Sequence, residues 1–357
     1  MLLKRFSSPT WGTLCLIGQP LLLNVIGIPA TGYIIHRLGP TAYGQWMVAT
    51  TLIATVTFLA SLGLRMHFVR EVARFPERSA EALAEQLGAR LLLAGLAAGV
   101  AVLVAALLRY PPVVLQCTVV SGAGLVLTSA GMTAADLLQA TQRLTAMSGA
   151  NLAGGLLLTA ASVAVMAGGG GPVELSLAYL LGPGLTALLA LAVIRRGGCP
   201  VRIRWNLPRI AALVWQSRLL AAQLGIRTVA SQAEALLAPK LVGLNAYGLF
   251  SAGWLLSSRL GIIPDAVATT HYPLIARAHA DGAKEAAREV ARALLMILAL
   301  CGAAATGAFL IAGPVARLLF PAQAELCRYV IQVTAWWLPL QGLGGMMGYA
   351  LNAAGRE

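Results

Sequence analysis

The sequence predicts an all-α polytopic membrane protein of about ten transmembrane helices in two pseudo-repeated lobes, the second about two helices short. Three observations predict it. Of 357 residues, 58% are hydrophobic and 11% charged, whereas a soluble domain carries about 45–50% apolar and ~25% charged residues. The apolar residues come in runs of ~20, enough to cross a bilayer. The net charge of +13 sits in short basic clusters between those runs, the pattern of cytoplasmic loops in a multi-spanning protein. So few polar residues cannot cover a water-facing surface. That excludes a soluble globular enzyme, a disordered chain and a nucleic-acid-binding domain.

Taken in order, the spans begin after Lys4 and Arg5. These precede an apolar run as in a signal peptide, but the run continues to about residue 35, too long for a signal core. It is a first span that stays. The full set is about 11–35, 44–65, 87–108, 113–136, 145–167, 173–194, 210–237, 245–268, 290–313 and 326–351. The connectors near 66–86, 195–209 and 271–289 are too short for a folded extramembrane domain. Segment 277–292 reads as a surface amphipathic helix, with Glu285–Arg288 and Glu289–Arg292 as favourable pairs three residues apart.

Lysine and arginine set the orientation. With the N-terminus inside, the inner segments hold sixteen of them and the outer segments and edges five (Arg37, Arg109, Lys240, Arg317 and Arg328). This bias predicts a cytoplasmic N-terminus. The five cysteines, Cys15, Cys117, Cys199, Cys301 and Cys327, form no C-x-x-C pair and are odd in number. They read as small apolar packers rather than a metal site or disulfide framework. No cofactor and no metal is expected.

The sequence repeats itself. Gly39, Ala42, Tyr43 and Gly44 recur at Gly243, Ala246, Tyr247 and Gly248, 204 residues later. Each copy falls at the outer turn between the first two spans of its half. Six spans per repeat give parallel lobes with a path between them. The domains are therefore 1–208, with six spans, and 209–357, with four. A complete second repeat would run to about residue 410, so an incomplete second lobe is expected.

The turn from Arg37 to Gly44, Ser61 to Leu64 at the close of the second span, and Arg70 to Arg74 after it resemble the polysaccharide (O-antigen type) flippases of the multidrug/oligosaccharidyl-lipid/polysaccharide exporter superfamily. The turn at 242–250 and Pro273 to Arg277 are also similar to that family. The resemblance implies two helical lobes around a central cavity and no enzymatic activity. It implies, as cargo, an anionic lipid-linked oligosaccharide of the polyprenyl-pyrophosphate type, moved across a bacterial inner membrane for surface polysaccharide such as lipopolysaccharide. Its other expected partners are membrane lipids and a polysaccharide polymerase or glycosyltransferases of the same pathway. The chain itself is expected to be a monomer.

Site residues follow from polar side chains at depth, which are costly in a bilayer and face a cavity or a partner. On span seven, Gln216, Gln223, Arg227 and Glu234 fall within about 40° of each other at 100° per residue. Arg227 reads either as a bidentate diphosphate clamp or as half of a structural ion pair. Arg259 on span eight either completes a cationic pocket or pairs with Glu234. Glu234 and Asp265 are the candidates for proton or sodium coupling; each is otherwise a counter-ion or a solvated carboxylate. Asn24, with Thr31 on its face of span one, is a candidate cavity-lining residue. Asp136, at the inner end of span four, reads as solvated. Arg65 and His67 either meet a lipid phosphate or snorkel to the headgroups. His36, Arg37 and Lys240, at the repeat-related turns, read as interfacial anchors or as aids to anion release. Gly95-x-x-x-Gly99 and Gly344-x-x-x-Gly348 predict close helix packing. The main alternative function is cation-coupled multidrug export on the same scaffold, which wants an acidic cavity. A membrane glycosyltransferase or ligase, and a truncated non-functional homologue, are further readings.

Overall fold

A computed structural model describes residues 9–353 apart from 63, 66–67, 69–71, 73–74, 142, 217, 262, 265–266, 269, 272–273, 276–277 and 279–281. Among the described residues the chain is helical nearly throughout and has no strand. It divides into two compact units, Met1–Leu244 and Asn245–Glu357. Six described helices are long and apolar enough to cross a membrane.

The first unit opens with α1 (Pro9–Ser61), which carries the first two predicted spans in one element. They part at Gly39, whose backbone is non-helical at φ 71°, ψ 168°. Next come α2 (Ser79–Leu107), α3 (Pro112–Ala140), α4 (Leu144–Ala167) and α5 (Pro172–Arg196). Proline opens α3 and α5 at the first helical position, where its missing N–H leaves no bond unmade. The turn before α5 is a run of glycines, Gly168 to Gly171: Gly169 has φ 78° and the Gly171 N–H donates to Glu174 Oε2 at 2.9 Å. α3 packs between α2 and α5, α5 on α4, and α4 and α2 on α1, which closes a ring of helices.

Small residues let these helices approach. A β-carbon on Gly154 of α4 would collide with the Thr186 hydroxyl and the Gly182 carbonyl oxygen of α5. One on Gly122 of α3 would come within 2.9 Å of the Ala98 side chain of α2. The predicted G-x-x-x-G pairs do not do this. Among the described residues nothing lies within 4 Å of a β-carbon placed on Gly95, Gly99, Gly344 or Gly348, and all four are on exposed faces, so the close packing expected there is not found. Spacing alone does not say which face of a helix meets a neighbour.

At the end of the unit where Arg143, Arg195, Arg196, Arg202 and Arg204 gather, an apolar cluster holds the helices together. It includes Phe68, Leu83, Leu87, Leu137, Leu138 and Ile194. The extended segment 197–206 crosses α2 here: the Arg204 N–H donates to the Ala84 carbonyl at 2.9 Å, and Arg204 pairs with Glu81 at 2.8 Å. Gly88 admits that crossing, since a β-carbon there would collide with the Arg204 carbonyl oxygen. The short α6 (Leu207–Gln216) follows, with Ile210 buried against Leu64 and Ala89 and Trp215 exposed.

α7 (Arg218–Arg259) mirrors α1. It breaks at Gly243 with φ 82°, ψ 163°, 204 residues after the Gly39 break and in the same conformation. Tyr43 and Tyr247, four residues after each break, are both buried. The sequence repeat is thus a repeat of backbone geometry.

In the second unit α8 (Ala283–Leu319) packs on α9 (Ala324–Ala335) and α10 (Trp337–Ala353). Its core joins Val267, Ile275, Ile297, Cys301, Leu338 and Met346. Trp337 stacks at a tilt on Trp254, with ring centroids 5.7 Å apart. The amphipathic segment expected over 277–292 is not a separate surface helix. From Ala283 it is the first turns of α8, because no breaker separates it from the apolar run that follows. Its Glu289–Arg292 pair forms as expected.

Candidate functional site

The arginine-rich end of the first unit holds the strongest cluster of charge among the described residues. Arg90, at the start of the fourth turn of α2, lies on the face that meets α3, as do Leu83, Leu87 and Ala94 at helical spacing. Asp136 lies one turn before the end of α3, on the face that meets α2. Arg90 Nη2 stands 2.7 Å from Asp136 Oδ2, with side chains only 2% and 6% exposed. Arg65, beyond the close of α1, brings Nε to 3.1 Å from Asp136 Oδ1, and its own side chain is 54% exposed. Arg65 Nη2 also donates to Gln139 Oε1 at 2.8 Å. Gln86, one turn before Arg90, is buried beside it on the same helix face.

One carboxylate thus serves two guanidinium groups, and among the described residues the cluster carries a net charge of +1. Breaking a buried pair by removing one partner is costly because the other charge stays behind. The expectation that Asp136 is solvated is therefore wrong: it is buried, and its charge is met by Arg90 across the α2–α3 contact. Arg90 had no role in the sequence reading. A cation in one apolar span and an anion in a neighbouring span were the available signal.

A cavity of about 340 Å³ lies between α3, α4 and α5, lined in part by Thr128, Met132, Asn151, Leu158, Pro183 and Thr186. Its wall is mostly apolar. The Thr128 hydroxyl is engaged by the Gly124 carbonyl on its own helix at 2.8 Å. At the opposite end of the unit, the turn between α2 and α3 grips α7. The Tyr110 hydroxyl donates to the Leu236 carbonyl at 3.1 Å, and Lys240 Nζ sits 4.3 Å from the Tyr110 ring centroid. Lys240 is therefore docked by a cation–π contact. Arg37 lies over the Tyr33 ring, one turn away, at 5.5 Å.

The predicted site residues fare differently. Asn24 is half-buried in the first arm of α1, and Thr31 donates its hydroxyl to the Gly27 carbonyl at 2.7 Å. Arg259 closes α7 and is exposed. The side chains of Gln216, Gln223, Arg227 and Glu234 lie outside the described residues, as do Asp265 and His67.

Residues 35–327 match the polysaccharide biosynthesis protein family, and the chain belongs to that family. No curated protein sequence matches it. Solved structures share its fold. An inward-facing multidrug resistance MATE family transporter of the MOP superfamily is 16% identical with a TM-score of 0.67, covering 94% of this chain and 81% of that one. The lipid II flippase MurJ in an inward closed conformation is 10% identical with a TM-score of 0.59, over 93% of this chain and 76% of that one. A MOP superfamily transporter from Pyrococcus furiosus, described as having a binding pocket of reversed polarity, is 16% identical with a TM-score of 0.55, over 98% and 83%. The chain is thus a multi-pass membrane protein whose fold is shared with transporters.

Proposed function

We propose that the protein is a flippase. It carries an anionic lipid-linked oligosaccharide of the polyprenyl-diphosphate type from the inner to the outer leaflet of the bacterial inner membrane, for surface polysaccharide biosynthesis. One observation carries the proposal: a polysaccharide biosynthesis family match over residues 35–327, on a fold that flippases and exporters share. The N-terminus is cytoplasmic, and transport proceeds by alternating access, with the lipid tail left in the bilayer. Arg227 and Arg259 contact the diphosphate, since permanent, bidentate cations suit it. Gln216, Gln223 and Asn24 line the path, and Glu234 and Asp265 couple the cycle to an ion.

Complementation of a flippase-null strain tests this reading. The wild-type chain is expected to restore surface polysaccharide, and Arg227→Ala to abolish it at an unchanged protein level. Normal polysaccharide in that variant rejects the role of Arg227. Failure of the wild type, with a drug-susceptibility panel that shifts when the protein is expressed, rejects the flippase in favour of drug export.

A further inference from the structure

We propose that Arg65 forms a phosphate-recognition site at the arginine-rich end of the first unit, a first contact for a phosphate ester arriving at that membrane face. The inference rests on the reading of the protein as a carrier of a diphosphate lipid and adds an entry site to it. Asp136 carries one negative charge, and Arg90, shielded from water and 2.7 Å away, already matches it. The charge of Arg65 is surplus. It is also held in place without being consumed. Nε faces Asp136 Oδ1 and one Nη2 hydrogen engages Gln139 Oε1. Among the described residues, three of the five guanidinium N–H groups remain for a ligand, on a side chain that is 54% exposed.

Among the described residues, donors outnumber acceptors in the rest of the cluster. Arg90 Nε and Nη1 and Gln86 Nε2 are buried and meet no hydrogen-bond acceptor, and the close Arg90 Nη2–Asp136 Oδ2 contact has the geometry of an ion pair rather than of a hydrogen bond. This excess of buried donors leaves a positive potential that water screens poorly. A guanidinium fork fixed in that field binds a planar or tetrahedral oxyanion with little loss of side-chain freedom. Two sources present this chemistry: the diphosphate of the carried lipid and the headgroup of an ordinary anionic phospholipid.

The test measures binding of a polyprenyl diphosphate, and separately of phosphatidylglycerol, to the full chain purified in detergent. Arg65→Gln leaves the Arg90–Asp136 pair intact and is expected to keep the thermal unfolding midpoint. It is expected to weaken diphosphate binding about tenfold or more, as loss of a charge-assisted contact does. Arg65→Lys keeps the charge without the fork and is expected to fall between, which guards against a folding defect in the first variant. Weakening of the diphosphate alone assigns the site to the carried lipid. Equal weakening of phosphatidylglycerol assigns it to headgroups. Unchanged binding of both in Arg65→Gln overturns the site, even where the wild type complements a flippase-null strain. Arg65-dependent binding without complementation supports the site and rejects the transport reading.

Discussion

Arg90 and Asp136 stand 46 residues apart in the chain and a hydrogen-bond length apart in space. Removing Asp136 leaves Arg90 buried without its counter-charge, at a cost of about 3–5 kcal/mol, whereas Asp136 without Arg90 keeps Arg65. Asp136→Ala is therefore expected to lower the thermal unfolding midpoint in detergent and to deplete monodisperse protein. The double variant Arg90→Leu, Asp136→Leu is expected to recover most of it, because replacing a buried pair by apolar residues is often neutral. A double variant no more stable than the single one would reject the pair as the cause. This site was only half legible. Each residue is visible as a charge within an apolar run. Which helix faces meet is decided by packing, so Asp136 read as solvated and Arg65 as a headgroup contact or a snorkelling side chain.

The helices were more legible than their ends. Apolar runs of bilayer length are a strong signal, and α2 to α5 cover predicted spans three to six. Charged, alanine-rich flanks hide the true starts: α2 begins at Ser79 rather than near 87, and α8 at Ala283 rather than near 290. The repeat was legible as a short string and gains its meaning from the backbone. Gly39 and Gly243 both adopt positive φ with extended ψ, a region essentially confined to glycine. Neither position is crowded, so strain alone opposes a side chain. Gly39→Ala and Gly243→Ala are each expected to cost about 1–3 kcal/mol, read as similar drops in unfolding midpoint. A drop in only one of them would argue that the two turns are not equivalent.

For the molecule as a whole, the arginine count predicts which end faces the cytoplasm, and thiol labelling checks it. In cells, Arg202→Cys in the crossing segment is expected to resist an impermeant maleimide, and Gly168→Cys in the opposite turn to react. The reverse pattern would invert the assigned orientation. Native Cys199 gives an internal control in opened membranes. Burial raises its thiol above the ordinary value, so less thiolate is present at neutral pH. Its labelling is expected to lag that of the exposed thiol introduced by Arg202→Cys near pH 7 and to catch up as pH rises. The dry Arg90–Asp136 contact also bears on biosynthesis. Ribosomes deliver α2 before α3, so Arg90 reaches the membrane ahead of its counter-charge. An unpaired arginine in a nascent span opposes release into lipid. α2 is therefore expected to enter the bilayer together with α3, as a hairpin.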